Sequence, residues 1–363
     1  MINERNLLIW LNHLGSITYE TILSLKSYFG KLEEIWYTNE NHLYHALENR
    51  RIIAEKMLKT RNKEFLQKII DKNYQKDFTV ITIEDNDYPQ RLKDIYNPPY
   101  VLYVKGRVGI NFPLIAIVGA RKSTPYGRWA AKKFAKELTD WDIGVISGLA
   151  LGIDTEGHKG ALEGKGYTVG ILGCGIDKCY PKSNQNLYKQ MENLGTIISE
   201  YPPGVQPLKH HFPARNRIIS GLSDGVVVIE AGEKSGTLIT VEHALQQGKD
   251  VFALPGNINN SQSKGTNKLI REGAKILLSV EDIIEELKYK YVLNNTKEEE
   301  NLKQDLSQEE MKVYNIIREN PVHIDLISYK SGISISEVNI LLTILELKGF
   351  INQLPGKIYT VSK

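Results

Sequence analysis

Leu114-Ile-Ala-Ile-Val-Gly-Ala-Arg-Lys-Ser-Thr-Pro-Tyr-Gly127 is the stretch that decides the fold. Its five leading apolar residues form an unbroken run, which reads as a strand covered on both faces; a strand with one wet face would alternate. Gly119 ends the run, where a Cβ would obstruct a ligand approaching the backbone. Thr124 has the chemistry to cap a helix, and Pro125 then sits at the first helical position, where its missing N–H is not needed. Strand, glycine turn and helix in succession open a βα unit. The turn offers amide groups, a helix N-terminus and two cations, Arg121 and Lys122, and together those features bind phosphate. Its spacing matches neither G-x-G-x-x-G nor G-x-x-x-x-G-K-[ST], which excludes a dinucleotide or P-loop fingerprint.

The same texture runs outward from this unit. Apolar β-rich runs recur at Gly144–Ile146, Thr168–Leu172, Thr196–Ser199, Gly225–Ile229, Asp250–Ala253 and Lys275–Leu278. Amphipathic helical patterns separate them at Arg128–Leu138, Asp154–Leu162, Leu187–Asn193 and Ile239–Gln247. Alternating βα units predict a Rossmann-like, doubly wound, mostly parallel sheet. Val80–Ile83 and Tyr100–Val104 read as further strands at its edge. Upstream, Leu7, Leu8, Leu11 and Leu14, then Ile22, Leu25 and Phe29, recur at helical spacing, and Gly15-Ser16-Ile17 between them loosely suggests a helix-hairpin-helix. Downstream, a polar, charge-rich run precedes a capping-box pattern at Ser307 and Glu310, three helical patterns and a hairpin around Leu354-Pro355-Gly356, which together predict a winged helix. The expected organisation is an N-terminal helical domain over 1–76, the α/β domain over 77–290, a linker over 291–305 and the winged helix over 306–363.

Composition narrows the class. Of the 363 residues, 41% are hydrophobic and 25% charged, which suits a globular chain with a sizeable core. The formal net charge is only +3, so a nucleic-acid surface has to be local and is sought motif by motif. Cys174 and Cys179 are the only cysteines; their spacing lacks the partners of a zinc site, and two free thiols under cytosolic reduction are expected. No apolar run approaches the ~20 residues that span a bilayer. The expectation is a soluble, cytoplasmic protein with no membrane contact, no metal and no cofactor.

In an open α/β sheet ligands bind at the carboxyl ends of the strands, so the remaining glycine-rich loops carry the chemistry. Ser147-Gly148-Leu-Ala-Leu-Gly152-Ile-Asp154 offers a second anion cradle, and Asp154 and His158 fall four apart on one helix face, as an acid/base pair or, more commonly, a structural pair. Lys209-His-His-Phe212-Pro-Ala-Arg215-Asn216-Arg217 is the densest cationic segment. Cations for phosphates beside an aromatic face for a base is the recipe for single-strand binding. Glu230-Ala-Gly-Glu-Lys-Ser235-Gly236-Thr237 follows a buried strand and opens a helix, and its hydroxyls and amides suit another phosphate. Glu230 at that strand end suits either catalysis or the orientation of an arginine.

Taken together, these loops resemble the DprA (Smf) family. The resemblance rests on Ile117-Val-Gly-Ala-Arg121, Ser147–Asp154 with His158, Leu172-Gly-Cys-Gly-Ile-Asp177 with Tyr180-Pro181, Ser199-Glu-Tyr-Pro-Pro203, Phe212–Arg217, Glu230-Ala231, Ser235–Thr240 and Ala253-Leu-Pro-Gly256, in family order. It covers roughly Leu114 to Ser279. Ala120, Leu151 and Gly157 depart from the residues common in the family, and Leu151 stands where many members have a basic residue. The resemblance implies a single-stranded-DNA-binding protein, not an enzyme, that protects incoming DNA and helps load the RecA recombinase, chiefly in natural transformation, as a homodimer built through the Rossmann-like domain. Carried onto this chain, it implies a DNA pocket lined by Arg121, Lys209, Phe212, Arg215 and Arg217, with Lys182 as a further phosphate contact. With the loop readings above, the candidate site comprises Gly119, Arg121, Lys122, Ser147, Gly148, Lys182, Lys209, Phe212, Arg215, Asn216, Arg217, Ser235, Gly236 and Thr237, with no catalytic residue assigned.

Two other functions remain open on sequence. The turn after Glu230 faintly resembles the Rossmann-like nucleoside-phosphate hydrolases of the lysine-decarboxylase-like group, although their Pro-Gly-Gly-x-Gly-Thr is replaced here by Ala231-Gly-Glu-Lys-Ser-Gly-Thr237. A duplex-binding regulator would use the winged helix. From Leu306 onward, however, six cations are offset by six acids, and the expected recognition helix Ser336–Lys348 carries Glu337 and Glu346 against Lys348 alone. Such a module lacks the electrostatic contribution that dominates duplex affinity, so a protein contact or a regulatory role is expected of it.

Overall fold

The computed structural model describes residues 2–48, 50–74, 77–293, 295 and 305–362. Most of the expected linker, residue 294 and residues 296–304, lies outside them. The chain divides into two compact units, Met1–Leu293 and Asn294–Lys363.

In the first unit the helical segment comprises α1 (Glu4–Leu14), α2 (Tyr19–Phe29), α3 (Glu40–Leu47), α4 (Arg51–Thr60) and α5 (Lys63–Tyr74). Leu7, Leu8, Leu11, Ile22 and Leu25 are fully buried, as their spacing predicts. The segment does not stand apart as the expected 1–76 domain. Its apolar side chains join one continuous core with the edge of the sheet, including Ile81 and Tyr103. Arg5 pairs with Asp85, and the Tyr103 hydroxyl donates to Asn12 Oδ1 at 2.9 Å.

The sheet has nine strands: β1 (Thr79–Thr82), β2 (Val101–Gly106), β3 (Leu114–Val118), β4 (Gly144–Ser147), β5 (Thr168–Leu172), β6 (Thr196–Ser199), β7 (Gly225–Val228), β8 (Asp250–Ala253) and β9 (Lys275–Ile276), in the order β1-β2-β6-β5-β4-β3-β7-β8-β9. From β6 to β9 the pairing is parallel, and β1 and β2 add an antiparallel edge. The connecting helices are α6 (Gln90–Lys93), α7 (Pro125–Thr139), α8 (Ile153–Glu163), α9 (Gln185–Leu194), α10 (His211–Leu222), α11 (Thr237–Gln246), α12 (Lys264–Arg271) and α13 (Glu281–Leu287). Alternation along β3 shows why its run is apolar throughout. Ile115 and Ile117 pack with α7, α8 and α13, whereas Leu114, Ala116 and Val118 join the core containing residues of α9 to α12.

From β3 the chain steps outward through β4 and β5 to β6. Helix α10 then carries it back over β5, β4 and β3 to β7, where it steps the other way. The strand order therefore reverses between β3 and β7, and a crevice opens there beyond their carboxyl ends.

The second unit is a winged helix: helices Gln308–Glu319, Ile324–Ser331 and Ile335–Leu347, and a three-stranded sheet of Val322–His323, Ile351–Leu354 and Ile358–Val361. Ser307 with Glu310, and Ser334 with Glu337, form capping boxes. The Lys348 ammonium lies 2.8 Å from the Glu310 carboxylate. The cation at the end of the recognition helix is thus spent inside the module, while Ile340 and Leu347 stand 61% and 84% exposed on that helix.

Candidate nucleic-acid interface

The crevice between β3 and β7 holds a cavity of about 620 Å³. Gly119 to Lys122 form one wall, Phe212, Arg215 and Asn216 of α10 another, and Lys234 to Thr237 the third, with Asp154 at the side. The glycine turn is a packing requirement as well as a vestibule. A Cβ on Gly119 would stand 2.6 Å from the Ile153 side chain. The amides of Arg121, Lys122 and Ser123 meet no backbone acceptor among the described residues. Arg121, Lys122 and Lys234 are exposed, and none forms an ion pair among the described residues.

Two carboxylates from the protein itself sit in the glycine loops. Asp154 accepts from the Gly148 and Ala150 amides at 3.1 and 3.3 Å, so the second loop is an anion cradle filled from within. Burial raises the Asp154 pKa above the usual carboxylate value. Ser147, expected to face a phosphate, is fully buried, and its hydroxyl donates to the Ile117 carbonyl at 2.6 Å. Glu230, 2% exposed, accepts from both the amide and the hydroxyl of Thr124. It completes the cap of α7, and a Cβ on Gly127 would collide with it at 2.3 Å. It orients no arginine. His158 does not pair with Asp154: it is buried, bonds to Thr168 Oγ1 at 2.7 Å, and desolvation pushes its pKa down to about 3. On the fourth loop, the Thr237 amide donates to Ser235 Oγ at 3.2 Å, while Gly236 is exposed.

The cationic segment is where structure and expectation part most. It reads as a loop, yet from His211 onward it is the first turn of α10. Pro213 hides the helix; it is the third residue of that turn, where the backbone has no intrahelical acceptor to lose. The helix sends its side chains to different places. Phe212 and Asn216 line the cavity. Arg215 also reaches it but is only 3% exposed; its guanidinium donates to the Gly148 carbonyl at 2.7 Å and to the Ile171 carbonyl. Desolvation lowers its pKa to about 10, against the pull of Asp154, and its Nε has no partner. A Cβ on Gly148 would meet that guanidinium at 2.4 Å, so a larger residue there would displace Arg215 from its carbonyl partners. Arg217 points to the other side. It grips both carboxylate oxygens of Glu200, at 2.9 and 2.6 Å, and donates to the Asn97 carbonyl. The expected gathering of the whole segment into one groove therefore fails at Arg217.

At the lip the Arg121 guanidinium sits 5.4 Å from the Phe212 ring centroid. The Tyr180 ring centroid lies 5.5 Å from that of the same ring, at an interplanar angle of 31°. Gly173 leaves room for that ring, since a Cβ would lie 2.9 Å from it. A small recess runs beneath, lined by Arg121, Gly148, Tyr180, Phe212 and Arg215. Lys182 and Lys209 are exposed and line neither space. Tyr180 and Lys234 are among the lining residues that the expected site lacks. Both lie in loops at strand ends, after β5 and β7, and that placement was the available signal.

The class that the fold and this crevice define is a Rossmann-like protein with cations and aromatic faces at its switch point and no dinucleotide fingerprint. The family model for DNA recombination-mediator protein A matches residues 79–288, and that for the DprA winged helix domain matches 297–357. The chain belongs to this family. It is 44% identical to the DNA processing protein DprA of Streptococcus pneumoniae over 61% of this chain and 78% of that one. It is 32% identical to the protein Smf of Synechocystis over 92% of this chain and 93% of that one. The crystal structure of the S. pneumoniae DprA matches with a TM-score of 0.69 and 35% identity, over 81% of this chain and all of that one. A Helicobacter pylori DprA, solved for its single-stranded-DNA binding mode, matches with a TM-score of 0.54 and 32% identity, over 59% of this chain and 98% of that one. Among the described residues no helix is long and apolar enough to cross a membrane, and no group of three metal-ligating side chains occurs.

Proposed function

We propose that this chain binds single-stranded DNA in the cleft between β3 and β7, protects it and hands it to the RecA recombinase, acting as a homodimer in the cytoplasm during DNA uptake and recombination. The observation that carries this reading is the Arg121 guanidinium over Phe212, with the Tyr180 ring in contact distance of the same phenyl group. A flexible polyanion with unstacked bases uses both partners of that pair, the charge for a phosphate and the ring for a base. The H. pylori relative, described by its single-stranded-DNA binding mode, supports the same choice of ligand. The chain binds and does not turn over; Glu230 is committed to the α7 cap and leaves the hydrolase alternative without its acid.

The test is single-strand binding across a salt series. If about three to five phosphates are neutralised, log affinity against log salt falls with a slope of about −2 to −3.5. Arg121→Glu and Lys234→Glu should each weaken binding and flatten that slope; binding unchanged in both overturns the site. Recombinase loading is read separately, as faster RecA filament growth on protein-coated single strands, and the dimer as a doubled mass in light scattering.

A further inference from the structure

Two aromatic rings on α7 stand in solvent, and the cleft does not use them. Tyr126 and Trp129 are 51% and 57% exposed, with ring centroids 5.8 Å apart at 31°. Trp129 is set apart from the other three tryptophans: Trp10 and Trp36 are buried, and Trp141 is packed against the core. Exposed tryptophans without a partner are uncommon in monomers, and an aromatic pair is a costly surface to leave wet.

Their place on the fold says what covers them. Tyr126 follows Arg121 by five residues, so the backbone between them spans at most about 18 Å. Helical side chains lean toward the helix N-terminus, and that end of α7 faces the sheet edge where the cleft opens. Lys122 and Arg128 are exposed on the same segment, and Arg128 donates to the Ser123 carbonyl at 2.7 Å, which ties it to the lip. The sequence of surfaces is then Tyr180 and Phe212, the cations Arg121 and Lys122, and Tyr126 with Trp129.

We propose that Tyr126 and Trp129 are a second stacking platform for the same DNA strand, taking the bases that leave the cleft past Arg121 and Lys122. This rests on the cleft reading above and extends it to a longer footprint. Continuity with the cleft and the accompanying cations favour a nucleic-acid strand over a second copy of the chain.

The experiment uses the full chain with oligothymidylates of about 6 and about 20 nucleotides, bracketing the ~4–16 that single-strand modules cover. The long oligonucleotide should quench tryptophan fluorescence and the short one should not. Trp129→Phe should abolish the quench and keep the affinity. Trp129→Ala and Tyr126→Ala should each lose about 5- to 100-fold for the long oligonucleotide and nothing for the short one. Quenching that survives in Trp129→Phe, or long-strand affinity that survives in Trp129→Ala, overturns the platform while the cleft stands. A chain that is dimeric as wild type and monomeric as Trp129→Ala assigns the rings to a second copy and also overturns it. If the wild type binds neither oligonucleotide, the cleft reading falls and the platform falls with it.

Discussion

The two sides of helix α10 carry the same residue types to opposite ends. On one side Phe212 and Asn216 line the cleft with an exposed, unpaired Arg121 above them. On the other, His211, Ala214 and Arg217 face a second cavity of about 720 Å³ toward α1 and α2, and Arg217 is clamped by Glu200. A count of cations gives both sides equal credit. Available charge is what differs: Arg217 commits four of its five donors, to Glu200, Asn97 and Ala214, and its charge is answered by the carboxylate, whereas the Arg121 guanidinium rests over a ring with no ion pair among the described residues. The winged helix repeats the point, since Lys348 answers Glu310 and not a ligand.

The largest effect that could break this contrast is on stability. Arg217→Met leaves the largely buried Glu200 carboxylate unpaired and should lower the unfolding free energy by about 3–5 kcal/mol in urea denaturation, while the folded fraction keeps its single-strand affinity. Lost affinity at retained stability would show that Arg217 serves the cleft after all. Phe212→Ala should do the reverse, costing about 1–3 kcal/mol of binding with little change in urea midpoint, if the ring stacks on a base.

Below these lies a pH effect from the buried floor. His158 has its folded pKa depressed to about 3 from 6.5, so it is neutral in the folded chain and its stabilisation is complete above pH 6.5. Stability falls as pH drops from 6.5 toward 3. At pH 5.5, one unit below the unfolded pKa, the loss from this group is on the order of 1–2 kcal/mol. Urea midpoints at pH 7 and 5.5 measure it, and His158→Gln should flatten the difference. Smallest is the α7 cap: Thr124→Ala removes the hydroxyl's bond to Glu230 and the acceptor for the Gly127 amide, leaves the Thr124 amide's bond to Glu230 in place, and should cost about 1 kcal/mol. Equal loss of single-strand affinity in that variant would mean that the cap also shapes the lip.

The parallel sheet was legible because buried strands announce themselves as unbroken apolar runs, and β3 to β8 begin where those runs begin. The glycine loops at their ends were legible for the same reason. Helix α10 was not, because Pro213 and a run of cations imitate a loop, and only tertiary packing reveals a first turn. Nor was the fate of the arginines. The partner of Arg217 lies seventeen residues upstream, in the Ser199–Pro203 motif that the sequence offers for other reasons. The N-terminal helices looked separable because their pattern is self-contained; that they share a core with β1 and β2 is a property of side chains meeting in space.

Asp154 and Glu230 have a consequence for what the fold admits. The amides of the turn after β4 are already taken by Asp154, and the Thr124 amide and hydroxyl by Glu230, so the turn after β3, with Arg121 and Lys122 beside it, is what the cleft keeps open for an anion from outside.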